Sequence, residues 1–363
     1  MPNLDLSIAK IMQGDTPVLR IMEGDTRVWP SGTDVAIDGV LTNVTSSVSV
    51  PGSAALNSPL TITLTPNSGH IINQISVTMG GVDITSSAYN EGVITIASVT
   101  GDIIIHASAI EIIIFEDAAV KAICVENWGG NVIEGEITPA EAAAVTTLDG
   151  KFYQNTEITK FNELRYFTGL TSLYKQIASS YAAGQFYMCS NLEEVTIPVA
   201  NISNFSGAFR QCYKLKSLDI TPTTATTYSM AGILQLSSTS NSKACTILRV
   251  PGGKITGSFY NFMNRRTGLT TFEIDGVLDL SDVTPYTGAF TYANALSTIT
   301  GTIVGISANI GLSYSPLTRE SALVILNGLK DGVNGTVNFS DTTMALLTAE
   351  DIAIGTNKGW TVS

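Results

Sequence analysis

The chain is poor in the residues that do chemistry. Two histidines and four cysteines in 363 residues leave little material for acid–base, zinc or thiol catalysis. Charged residues make up 14%, against about 25% in an average globular chain. The 19 basic residues face 31 acidic ones, a formal net charge of -12, which repels phosphate backbones and anionic lipid surfaces. A nucleic-acid partner is therefore not expected. Long apolar runs are missing too. The most apolar stretch, Asp102 to Phe115, is broken by His106 and Glu111 and is shorter than the ~20 residues of a spanning helix. It reads as a buried strand pair, and membrane insertion is not expected. The opening MPNLDLSIAKIM sets Asp5, Ser7 and Lys10 among apolar residues, so no secretory apolar core is read there. The four cysteines have no paired spacing and read as reduced core thiols.

What remains is rich in Ser, Thr, Asn and Gly beside 44% hydrophobic residues, a β-leaning composition. Length predicts two or three domains. The first thirty residues hold a repeat of period ten: Lys10-Ile-Met-Gln-Gly14-Asp15-Thr16-Pro-Val18 returns as Arg20-Ile-Met-Glu-Gly24-Asp25-Thr26-Arg-Val28. Each copy reads as strand, Gly-Asp turn, strand, together a meander of about three strands over residues 1–30. So small a sheet is not stable alone. Its apolar residues Ile11, Met12, Ile21, Met22, Val28 and Trp29 are expected to be buried by a partner or by symmetry mates. Residues 31–110 follow as a small β-sandwich, with strands at Leu60–Leu64, Ile71–Met79, Val93–Ile96 and Asp102–Ala107 between Gly, Pro and Asn turns. His70 follows a turn and His106 lies on a sheet face, so neither reads as catalytic.

Residues 111–150 turn to Ala, Glu and Val and predict a helix-loop-helix. Thr138 is suited to an N-cap and Pro139 to the first helical turn. The loop has the outline of an EF-hand with Glu141 at its twelfth position. Gly130 and Val132 then occupy positions one and three, which need oxygen ligands. No metal is expected.

The strongest periodicity lies in residues 151–363. Phe186-x-x-Cys189-x-x-Leu192-x-x-Val195-x-Ile197 recurs as Phe209-x-x-Cys212-x-x-Leu215-x-x-Leu218-x-Ile220, every matched pair standing at the same offset. Looser copies are read at Leu170, Cys245, Leu269 (with Phe259) and Leu296 (with Phe290). The intervals between successive positions, from Leu170 through Leu192, Leu215, Cys245 and Leu269 to Leu296, suit a stack of leucine-rich turns, each of about 20–29 residues. Phe186, Cys189, Leu192, Phe209, Cys212, Leu215, Cys245, Leu269 and Leu296 are thus expected as core rungs, not ligands. A helix over Leu317–Leu329 and a last strand with Trp360 should cap the stack.

With these residues in view a resemblance appears. Phe115–Trp128, Glu141–Val145, Asn155–Thr159, Phe161–Leu173, Ser315–Ser321 and Asn357–Ser363 resemble the BspA-like leucine-rich-repeat proteins of gut Bacteroidota and their phages, over about two thirds of the chain. The opening repeat looks like the N-terminal segment of phage structural proteins that carry fibre or adhesin domains. Val77–Thr85 and Val99–Ile103 are similar to Ig-like modules attached to such proteins. The expected fold is mainly β and multi-domain: N-terminal β-meander, Ig-like β-sandwich, small helix-loop-helix and C-terminal leucine-rich-repeat solenoid.

The resemblance implies a virion fibre or decoration protein, a homo-oligomer such as a trimer. Its N-terminus would hold other virion proteins, and its repeats would bind a host-surface or gut glycan or protein. The alternatives are a bacterial cell-surface adhesin, which would need export, and a polysaccharide depolymerase. The depolymerase needs two carboxyls roughly 5 to 10 Å apart, for which Asp219, Glu273 and Asp275 are the candidates. No catalytic motif holds them, Gly252-Gly253-Lys254 lacks phosphate-loop spacing, and neither a catalytic residue nor a cofactor is expected.

Overall fold

A computed structural model describes residues 34–176, 183–237, 243–283, 286 and 288–363, together with the backbone of four short strands before residue 30. The chain is mainly β and divides into two compact units, Met1–Ile112 and Ile113–Ser363.

In the first unit each Gly-Asp copy forms its own hairpin. Met12–Gln13 pairs with Thr16–Pro17, and Ile21–Glu23 with Thr26–Trp29, both antiparallel. The expected three-strand meander is thus two separate hairpins among the described residues, because the ladders close within each copy and not between copies. From Asp34 to Glu111 two sheets of five and four strands follow. Within the five-stranded sheet His70–Met79 and Ile103–Glu111 run antiparallel to each other, and the latter also pairs in parallel with Asp34–Thr42. Asp102 to Phe115 thus supplies one central strand, where a strand pair was expected. In that strand Ile103, Ile105, Ala107 and Ala109 point inward and His106 outward, the two-residue alternation of a sheet with one buried face. The inward residues form one core with Ile62, Leu64, Ile94 and Ile96 of the second sheet.

The second unit begins with a helix, Ala118–Trp128, capped by the Asp117 carboxylate, which accepts from the amides of Ala119 and Val120 at 2.9 and 3.3 Å. The other oxygen of Asp117 accepts from the Thr159 amide and hydroxyl at 2.7 and 2.9 Å, tying helix start to first rung. The short helix Pro139–Ala143 starts as expected, Thr138 and Glu141 forming a reciprocal capping box. Both helices bury residues in the core shared by everything after them.

That remainder rises by parallel rungs. Ser217–Asp219, Ile247–Ile255, Thr271–Asp279 and Thr298–Val304 lie side by side in one sheet, with Leu218, Leu248, Phe272 and Ile299 in register. One chain of backbone bonds runs through consecutive rungs: the amides of Glu193, Lys216, Thr246, Thr270, Ser297 and Thr318 donate to the carbonyls of Thr159, Glu193, Lys216, Thr246, Thr270 and Ser297. Where two rungs cross, Gly301, at φ +92°, would press a Cβ against the Ile274 carbonyl, so only glycine fits. The far end holds a helix, Arg319–Gly328, inside the predicted range, and two parallel pairs, Ile310–Leu312 with Thr336–Phe339 and the latter with Thr361–Val362. Trp360 sits just before that last strand, buried, its Nε1 donating to the Lys330 carbonyl at 2.8 Å. No helix among the described residues is long and apolar enough to cross a membrane.

Candidate binding surface and repeat ladder

The residues read as rungs come together in one core. Phe186, Cys189, Leu192, Phe209, Cys212, Leu215, Cys245, Leu269 and Leu296 are all at most 2% exposed. Phe186 and Phe209, one period apart, stack with centroids 5.2 Å apart and planes within 4°. Cysteine has a repeating task. The Cys189 thiol donates to the Phe152 carbonyl and the Cys212 thiol to the Phe186 carbonyl, each at 3.0 Å. Each bond therefore reaches back to the phenylalanine of the turn before. Burial pushes all four thiols up, Cys212 to about 12 even though Arg266 pulls it down. These sulfurs stay protonated and pack as small apolar groups.

One rung was misassigned. Leu170, read as the position before Leu192, is buried but belongs to another ladder, where Ser203 donates to the Thr171 carbonyl and Ser172 bridges Asn204. The rung beneath Leu192 is that of Ile158: Glu193 donates to Thr159, and Lys160 and Phe161 pair with Glu194 and Val195. Phe152 precedes Ile158 by the same interval as Phe186 precedes Leu192. The turn from Ile158 to Leu192 holds an extra loop, and that insertion disguised the period. Met263, not Phe259, stands at the same interval before Leu269; both are buried.

Sequence reading also passed over Arg266, which stands before Leu269 where Cys189 stands before Leu192. It is fully buried. Its Nε donates to the Leu234 carbonyl at 2.6 Å and one Nη to the Cys212 carbonyl at 3.0 Å, while the other Nη has no partner. Extending the register of the two full copies would have found it. Burial lowers its pKa, as expected for a cation taken out of water.

The outer faces carry the polar residues. Across the first rungs Glu116, Lys160, Glu194 and Lys216 form a chain of ion pairs of 3.0–3.5 Å, each exposed and contributing little singly. Two of the three acids weighed for hydrolysis are engaged by neighbouring side chains. Glu273 pairs with Arg249, and Asp219 accepts from the Thr221 hydroxyl at 2.6 Å. Asp275 lines the same shallow surface as Arg249 and Glu273. Along another edge Tyr153 and Tyr187 stack at 5.4 Å between Lys175, 5.0 Å from the first ring, and Arg210, 5.5 Å from the second. Arg265 covers Tyr292 at 4.7 Å, and Tyr292 meets Tyr314 at 4.7 Å.

The EF-hand outline is spent on structure. Glu141 accepts from the Thr138 amide and hydroxyl at 2.8 and 2.9 Å and from the Asn131 amide at 3.2 Å. No cluster of three metal-ligating side chains occurs among the described residues. His70 Nδ1 lies 3.0 Å from the Ser68 carbonyl, within its turn. Ile11, and the side chains of the other anchor candidates Met12, Ile21, Met22, Val28 and Trp29, lie outside the described residues.

Compared with protein-family models and with curated proteins, the sequence matches none.

Proposed function

We propose that the chain is a non-enzymatic phage virion fibre or decoration protein. Its N-terminal repeat anchors it to other virion proteins, an Ig-like sandwich serves as spacer, and a leucine-rich-repeat solenoid binds a glycan or protein of the host surface or gut. One observation carries the reading: the unbroken chain of rung-to-rung hydrogen bonds from Thr159 to Thr318. Such a stack extends a broad surface, the form repeat proteins use for recognition. The tyrosines and cations along its edge supply rigid aromatic and polar contacts of the sort binding surfaces favour. Two of the acids available for hydrolysis are engaged by Arg249 and Thr221, which supports binding over cleavage.

The Met- and Trp-bearing hairpins suit an anchor because two-stranded sheets need a partner to be stable. The test is deletion of residues 1–30 followed by assay of purified particles. The truncated protein should stay soluble and folded yet be missing from virions. Continued incorporation refutes the anchor, and release of reducing sugar from host polysaccharide by the full chain refutes the non-enzymatic reading.

A further inference from the structure

Outside the main sheet a second set of backbone bonds joins successive turns: Leu234 donates to Phe262, Met263 to Ala289 and Arg265 to Thr291. Among the described residues this ladder stops there. No backbone bond among them links residues 288–292 to Ile310–Leu312, which instead pairs with Thr336–Phe339. The walls part into a cleft of about 680 Å³, within the range of small-molecule sites, about 300–1,000 Å³. Gly288 and Thr291 lie on one wall, Ser307, Asn309 and Gly311 on the other, with Asn334, Thr336 and Asn338 beyond.

The lining selects its ligand. Among the described residues no Asp, Glu, Lys, Arg or His lines the cleft, so a charged ligand would lose hydration without a counter-charge. An apolar one would leave amides unpaired. Asparagine amides and Ser or Thr hydroxyls each donate and accept, the pattern that matches a run of sugar hydroxyls. Asn309 is held ready, its Oδ1 accepting from the Thr336 amide at 2.8 Å, which leaves its NH₂ to donate.

We propose that this cleft binds an uncharged oligosaccharide segment, a reading that rests on the chain being an adhesin and assigns its ligand class. Gly311 provides the test. A Cβ added there meets nothing within 4 Å, and its φ is ordinary, so Gly311→Tyr should fill the cleft without strain. The full chain is applied to immobilised neutral oligosaccharides and to uronate- and sialate-bearing ones, and in parallel to intact gut Bacteroidota cells. Expected are retention on neutral glycans, at least a tenfold loss in Gly311→Tyr with an unchanged melting midpoint, and a several-fold loss in Asn338→Ala, whose side chain is exposed. Neutral-glycan binding that survives both substitutions, or retention on acidic glycans alone, overturns the proposal. Cell binding that neither variant alters removes the cleft and leaves the adhesin standing, whereas a chain that holds neither cells nor any glycan fails both readings.

Discussion

Leu215→Ala puts the rung architecture to a quantitative test. Leu215 is fully buried, on the rung where Lys216 donates down to Glu193 and accepts from Thr246 above. The substitution removes three carbons. At about 0.8 kcal/mol per buried CH₂ the transfer loss is about 2.4 kcal/mol. The cavity adds about 24 cal/mol per Å³ of whatever volume fails to collapse. Little collapse is expected, since hydrogen-bonded rungs hold the walls on both sides, and the total should reach about 3–5 kcal/mol. Val199→Ala is the control. Val199 is 68% exposed, so its loss should stay within about 0.5 kcal/mol.

The assay is urea unfolding by tryptophan fluorescence in a Trp29→Phe background, which leaves Trp128 and Trp360, both in the second unit. A Leu215→Ala loss below about 1 kcal/mol, or equal to that of Val199→Ala, would refute the interior ladder.

Arg266→Ala strips donors from the buried Leu234 and Cys212 carbonyls and should cost about 2–5 kcal/mol; an unchanged urea midpoint would show that the guanidinium does not organise these turns. The four buried thiols should resist alkylation at pH 8 in native protein and react fully in urea, and rapid native labelling of Cys189 or Cys212 would contradict their burial. Calorimetric titration with calcium should give no heat. Glu141→Ala should instead lower stability by about 0.5–2 kcal/mol through loss of its cap, and micromolar calcium binding abolished by that change would overturn this. For Asp117, burial raises the pKa but the bonds from Thr159, Val120 and Lys160 outweigh it; for Asp351 the Arg319 guanidinium is the main cause, and both carboxyls end below the ordinary 3.8. The stability they add is complete above about pH 4 and is lost as pH falls through their folded values. Asp117→Asn should flatten the acid limb of a stability–pH curve, and an unchanged limb counts against the assignment.

Much of the plan is determined by local sequence. Thr138 and Pro139 start their helix because capping and a preset φ act within a single turn. The strand faces around Ile103 follow from two-residue alternation, and the offset shared by Phe186 and Phe209 becomes a ring stack because a fixed period produces stacked equivalents. Tertiary structure alone decided the rest. Ile158, not Leu170, lies beneath Leu192, since an inserted loop lengthens that one turn while hydrogen bonding keeps the rungs in register. Arg266 occupies a cysteine site because backbone carbonyls from neighbouring turns converge there. Glu141, whose spacing gave the outline of a cation loop without its oxygen ligands, caps a helix, its oxygens being held by backbone donors. The cleft at Gly311 exists because a backbone ladder ends, and the end of a ladder depends on which distant strand offers the better partner, a choice no local stretch of sequence records.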